Sequence, residues 1–329
     1  MVRATIPRVI RLIWWKARPD EAQAALHTAE ASMGEVRARL QLTVLRTELE
    51  VGLARLVCAM RSAEAALALP GLPDESVAMA SVGLIGALAM LGRADEIGPA
   101  AARGYAAAAR SSELAYYRAH LVLAQVMRLR LAGYLHDAEA IAREFRDRAK
   151  GHVLGSEIGS CVLGEAELAR GRVSSALRWL REARAGLGDV PGWNYICLIS
   201  LTRALALSGE LTMARTALAD MRAQRHPAAL YLEPEAMLAR AWDCAAEGAV
   251  TDAITITREA AALAADRGQL AHQVLALHTA VCLGERTLAH DLSRLATRVD
   301  GPRAPVAAAH AAALAAGDTD ALQIPPLQG

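Results

Sequence analysis

Lysine and phenylalanine are nearly missing from this chain. Phenylalanine occurs once in 329 residues, aromatics together make up 4%, and Lys16 and Lys150 are the only lysines. So few bulky β-formers argue against a sheet fold, and no run alternates at period two with Val, Ile and Thr enrichment. Charge of one sign is also lacking. The net charge is +1, so no global field draws the chain onto nucleic acid or anionic lipid. The preference for arginine over lysine reads as GC-rich coding bias, not as an RNA-binding surface. The five cysteines (Cys58, Cys161, Cys197, Cys244 and Cys282) are odd in number, far apart and without a C-x-x-C pair. A disulfide framework or zinc site is therefore not expected; most should be small buried residues in a reducing compartment. No Gly-x-x-x-x-Gly-Lys-Ser/Thr loop is present to cradle phosphates. The N-terminal arginines 3, 8 and 11 flank a segment with neither an apolar core nor a small-residue cleavage site, so no signal peptide is expected. Two uncharged runs, 76–92 and 268–284, sit at the lower edge of a membrane span in length. Both end on a recurring glycine and read as repeat helices. The expected location is cytoplasmic, without membrane contact.

Alanine and leucine dominate what is there, within a chain that is 54% hydrophobic. Such residues favour stacked helices. The organising feature is a glycine at an apolar helix end, followed by a short polar turn. It recurs at Gly52, Gly92, Gly133, Gly171, Gly209, Gly248, Gly284 and Gly317. A period of roughly 33–41 residues predicts helix–turn–helix units, with glycine closing the first helix in the left-handed conformation. Five positions after the glycine stands a small residue, Ala138, Ala176, Ala214, Ala253 or Ala289, which lets the second helix pack closely. Each unit is expected to contact only its neighbours.

The predicted pairs are 35–50 with 54–69, 77–91 with 95–109, 113–131 with 137–150, 156–169 with 174–187, 193–208 with 212–224, 233–246 with 251–267, and 270–283 with 287–299. An earlier helix over 8–16, entered through Pro7, has Ala17 in place of the turn glycine, and Pro19 opens its partner. Gly98-Pro99 should kink the 95–109 helix or delay its start. The array is read as one continuous domain over 1–317. An incomplete last unit leaves residues 318–329 as a frayed tail, because Pro325-Pro326 cannot extend a helix.

The turn pattern Gly-x-Leu/Val-x-x-Ala, as in Gly133-Tyr134-Leu135…Ala138, Gly171-Arg172-Val173…Ala176, Gly209-Glu210-Leu211…Ala214 and Gly248-Ala249-Val250…Ala253, resembles the tetratricopeptide repeat. The resemblance implies an all-α superhelical solenoid, with units mostly longer than that family's usual repeat. Two longer strings, residues 65–75 (with Pro70-Gly71-Leu72-Pro73-Asp74-Glu75) and 300–318 (with Asp300-Gly301-Pro302-Arg303-Ala304-Pro305), look like the helical-repeat region of actinobacterial LuxR-type, MalT-like transcriptional regulators. Members carry an ATPase module before the repeats and a DNA-binding helix-turn-helix after them. Neither motif is in this sequence, so the resemblance implies a truncated or split member, without the family's ATP or DNA functions.

The functional expectation is a non-catalytic module that binds a protein segment or a small effector, with no cofactor, no metal and no nucleic acid. The alternatives are a free-standing scaffold and an all-helical enzyme; the latter needs converging polar groups that the sequence does not display. Tyr116, Tyr117, Trp193 and Tyr195 are the candidate groove residues, since Tyr117 stands to Gly133 as Trp193 stands to Gly209. The competing reading is that they plug gaps in an alanine-rich core. Trp14 and Trp15, adjacent on a helix, should divide between core and surface, the exposed one being a candidate domain-docking residue. His272 and His278 are six apart, on different faces, and make poor co-ligands. Glu165 and Glu167 diverge likewise, and Glu139 with Arg143 should form a surface pair. The small residues of 155–161 point to close helix packing.

Overall fold

The computed structural model describes residues 2–32, 36–149, 153–188, 190, 192–318 and 320–321. Among the described residues there are seventeen α-helices and no strand. The chain divides into two compact units: 1–88, 96–125 and 225–231 form the first, and 89–95, 126–224 and 232–329 the second.

In the first unit α1 (Val2–Ile10) runs into a π-turn at Arg11–Trp15, and α2 (Pro19–Ser32), α3 (Val36–Gly52), α4 (Leu56–Leu67) and α6 (Gly98–Ala108) follow, with most of α5 (Asp74–Leu91) and the first part of α7 (Ala115–Ala132). Its core gathers Val9, Ile13, Leu26, Leu42, Leu45 and Leu49 around Ala228. Each buried leucine contributes roughly 2 kcal/mol by leaving water. Contrary to expectation, Pro7 does not open the first helix but lies inside it. The helix continues by switching to wider π-type turns just beyond. Gly98-Pro99 does delay α6: a single 3₁₀ turn at Ala94–Glu96 intervenes.

The second unit holds α8 (Leu135–Arg148), α9 (Val153–Ala169), α10 (Val173–Leu187), α11 (Trp193–Ser208), α12 (Leu211–Ala223), α13 (Glu233–Ala246), α14 (Val250–Asp266), α15 (Leu270–Cys282), α16 (Ala289–Ala296) and α17 (Arg303–Ala316), with the ends of α5 and α7. Consecutive helices pack antiparallel in pairs, and each first helix also meets the next unit's first helix, as α9 with α11 and α11 with α13. This is a tetratricopeptide-like helical solenoid.

The turn after α11 shows why the glycine recurs. Gly209 sits at φ 79°, its N–H donates to the Ala206 carbonyl, and the Glu210 N–H donates to the Leu205 carbonyl. This is a Schellman closure. Glu210, at φ −80° and ψ 60°, then forms an inverse γ-turn in which the Leu211 N–H donates to the Gly209 carbonyl at 2.9 Å. Two residues thus reverse the chain, with the N–H groups of Gly209, Glu210 and Leu211 all paired. Gly133, Gly171 and Gly248 make the same γ-type link, and so does Gly268, between α14 and α15.

Gly52 is different. It is the last residue of α3, and Ala54 carries the positive φ, 56°. Glycine is needed at 52 because a Cβ there would lie 2.3 Å from the Ala228 carbonyl oxygen. Ala17, at φ 53°, does replace a turn glycine. The small residues Ala138, Ala176, Ala214 and Ala253 are fully buried. Ala289 is not, because α16 starts late and Leu288 takes the buried place.

The expectation of neighbour-only contacts fails in the second unit. The Asp300 N–H donates to the Gly92 carbonyl at 2.8 Å, and the Asp95 N–H donates to Asp300 Oδ2. Val299 packs on Gly92, and Gly301 on Ala132. One helix, Asp74–Leu91, is long and apolar enough to cross a membrane, and 72% of it is buried within the protein. At the C-terminus Asp318 Oδ1 accepts from the Asp320 and Ala321 N–H groups; the rest of the expected tail, beyond 321, lies outside the described residues.

Candidate functional site

The first helices of the second unit are buried on both flanks, yet they carry charge. Arg130 (end of α7), Glu165 (α9), Ser200 and Arg203 (α11), Glu235 (α13), His272 (α15) and Arg303 (α17) converge on one interior region. Arg130, Glu165, Ser200, Glu235, His272 and Arg303 follow one another at intervals of roughly 31–37 residues, about one repeat each. Arg130 Nη2 donates to Glu235 Oε1 at 2.7 Å, and His272 Nε2 donates to the same oxygen at 3.1 Å. Ser200 Oγ donates to Glu165 Oε1 at 3.0 Å. The Arg303 guanidinium donates to the carbonyls of Arg130 and Leu131, closing the negative C-terminal end of α7.

Burial dominates the electrostatics. It pushes the Glu165 carboxyl up to about 7, helped by Glu235 and opposed by Arg130, Ser200 and Arg203. Burial also raises Glu235, but Arg130 and His272 outweigh it and hold that carboxyl far below the usual range. Arg303 is lowered to about 10, by burial and then by Arg130 and Arg203; Arg203 is lowered by burial and then by Arg130. Three guanidiniums therefore face one ionised carboxylate and one that is half protonated near neutral pH. Arg130 Nε and Arg203 Nε are buried without a hydrogen-bond acceptor among the described residues. A narrow crevice, lined by Arg130, Glu165, Ser200, Arg203 and Glu235 with Leu168, Ile199 and Leu238, has room for about one water, at about 10 Å³. Such a set offers positive charge and N–H donors to an anionic group.

Two further groupings lie in this unit. Glu139 is no simple surface partner of Arg143. It is largely buried and also receives Arg170 and Arg172, while Glu167, 2% exposed, takes Arg143 and Arg172. The turn around Gly171 carries both extra arginines onto α8, which residue spacing on one helix could not show. Glu165 and Glu167 do diverge, into these two separate networks. At the contact of α15 with α17, His278 Nε2 lies 3.1 Å from His310 Nδ1, and one ring nitrogen of each histidine and Cys282 Sγ lie within 4.8 Å of one another. The residues 155–161 pack closely: Gly159 lies against the Arg146 backbone.

The aromatic residues chosen from sequence separate by environment. Trp193 and Tyr195 are buried in the second unit, each 3% exposed. Tyr116 and Tyr117 belong to the first unit. Tyr116 is 54% exposed and meets the His120 ring at a tilt of 51°, with ring centres 4.3 Å apart; the Tyr117 hydroxyl donates to Glu75 Oε1 at 2.6 Å. Trp15 is 70% exposed, whereas Trp14 is half-buried and its Nε1 donates to Glu48 Oε1 at 2.8 Å. Burial, relieved partly by that bond, raises the Glu48 carboxyl, and the charge of Glu48 in turn acts on both Tyr116 and Tyr117. Trp14 is thus bonded to Glu48, and Tyr117 to a different acid, Glu75. Spacing along one helix sets Glu165 against Glu167 and His272 against His278, and so does not reveal how Arg130, Glu165, Arg203, Glu235, His272 and Arg303 converge from different helices. Their near-repeat spacing was the available signal.

No protein-family profile matches the chain, and no curated protein matches it in sequence. Among solved structures, the crystal structure of a Rap protein complexed with competence and sporulation factor is similar over 96% of this chain and 97% of that one, with a TM-score of 0.61 and 12% identity. That likeness is one of fold: this chain has the helical architecture of that protein.

Proposed function

We propose that the chain is a non-catalytic helical-repeat module that binds a peptide segment or small effector bearing an anionic group, received on the interior face of the second unit. The observation that carries the reading is the convergence of Arg130, Arg203 and Arg303 from separate repeats, with the Nε groups of Arg130 and Arg203 lacking an acceptor among the described residues. The Rap structure, which is complexed with a factor, supports a ligand-binding role for such a fold. Because the crevice admits only a water-sized guest, entry requires the first helices to part, and closure around the ligand is part of binding. The finer reading, the helical-repeat regulatory region of a truncated or split LuxR-type regulator, rests on the resemblance of residues 65–75 and 300–318. In the structure these form the α4–α5 junction and α17.

The test is a fluorescence-polarisation screen of short peptides with free C-terminal carboxylates, on wild type and Arg203→Met. Peptides that bind wild type and lose at least about 10-fold on the variant, as removal of one buried charge partner predicts, support the reading. Peptides that bind both proteins equally, or no binding at all, reject it. Tyr116 and Tyr117 remain a proposed contact surface of the first unit, tested by the same screen with Tyr116→Ala.

A further inference from the structure

His278 and Cys282 are four positions apart on α15, so they share one helix face. His310 comes from α17, which packs against α15. His278 Nε2 and His310 Nδ1 are 3.1 Å apart, and a ring nitrogen of each histidine lies within 4.8 Å of the Cys282 sulfur. Two nitrogens bonded tetrahedrally to a metal at about 2.0–2.1 Å stand roughly 3.3 Å apart. The observed separation needs only a slight spreading. A packing role explains less. A His278–His310 hydrogen bond would join the two helices, but it does not account for a thiol on the same face of α15 beside both rings. Cys282 is exposed, so an ion has a path in. Ring orientation suits the purpose as well: the rings meet edge to face, at 89°, with one nitrogen of each turned toward the shared space.

We propose that His278, Cys282 and His310 form a binding site for a thiophilic d¹⁰ metal ion, Cu(I) in preference to Zn(II). The donor set is soft sulfur plus imidazole, which both ions accept. Charge decides between them. Arg203 and Arg303 act on Cys282, and Arg303 also on His278. A thiolate with Cu(I) is neutral beside these guanidiniums, whereas a thiolate with Zn(II) adds a net positive charge. Three ligands also suffice for Cu(I), while zinc calls for a fourth.

The experiment uses the full chain, reduced and metal-free, titrated with Cu(I) against a chromophoric Cu(I) chelator and separately with Zn(II) against a zinc dye. Cys282→Ser and His310→Ala are run beside it, with Cys58→Ser as the control for a second exposed thiol. Circular dichroism and thermal melts identify any variant that fails to fold, and His310→Asn then replaces His310→Ala. The expected result is one Cu(I) per chain, weakened more than about 100-fold in the ligand variants, since loss of an outer-sphere partner alone costs about 10–100-fold. Cys58→Ser should be unchanged. One Zn(II) bound with the same variant pattern, and Cu(I) weaker, would support the site and overturn the choice of ion. Failure to bind either metal, or equal binding by Cys282→Ser and wild type, would overturn the site.

Discussion

Glu165→Gln tests whether the interior of the second unit holds a carboxyl group against its preference for charge. Burial raises Glu165 from 4.5 to about 7. At about 1.36 kcal/mol per pKa unit, ionising it in the folded chain costs about 3 kcal/mol relative to the unfolded chain. The native state keeps the proton longer, so this cost is absent below about pH 4.5. It grows as pH rises and is complete above about 7. Stability should therefore fall with pH across that window. His278 acts oppositely: burial, with Arg303 and His310, lowers it to about 4, which makes stability rise between about pH 4 and 6.5. Wild type and Glu165→Gln share that effect, so their difference isolates Glu165. The assay is urea unfolding followed by tryptophan emission from pH 4.5 to 8. A Trp14→Phe/Trp15→Phe background leaves Trp179, Trp193 and Trp242, all in the second unit. Glu165→Gln should gain about 3 kcal/mol on wild type between the two ends of the range. Parallel stability curves would refute the argument that Glu165 is buried with too little compensation.

Other substitutions separate the roles of backbone and side chain. Gly209→Ala should cost about 1–2 kcal/mol from the left-handed backbone alone, because nothing lies within 4 Å of the added Cβ; calorimetry checks this. Gly52→Ala has no such strain, yet should cost more, since its methyl meets a carbonyl oxygen; an equal or smaller loss than Gly209→Ala would contradict the contact. Ala17→Gly, at an exposed φ of 53°, should raise the melting midpoint, by up to about 1 kcal/mol of stability. Trp193→Ala should lose about 3–5 kcal/mol, and a loss below about 1 kcal/mol would mean that Trp193 is not a core residue.

The fold was legible because its punctuation is chemical. A left-handed helix end nearly demands glycine, so Gly133, Gly171, Gly209 and Gly248 mark turns without any knowledge of packing. Where alanine takes that conformation the mark fades: Ala17 was found through Pro19, and Ala54 was not found at all. Gly268 was passed over because its turn joins one pair to the next. The candidate site was harder to read. Arg130, Glu165 and Arg303 look like ordinary helix-surface charges until the repeats stack and turn them inward. His278 was weighed against His272 on its own helix, whereas its partner, His310, stands 32 residues on, across a helix packing that spacing on one helix cannot reveal.

The contacts that tie Asp95 and Gly92 to Asp300 bear on how the protein is made. Asp95 waits through 205 residues for its partner, and the carbonyl end of α7 waits through a comparable stretch, 173, for Arg303. At roughly 5–20 residues per second, a ribosome needs about 10–40 s to deliver those groups. Helix pairs emerging in that interval can form locally. The last carbonyls of α7 then stay without Arg303 until α17 arrives, and a nascent chain stalled before residue 300 would present them to whatever chaperone or ligand is nearby.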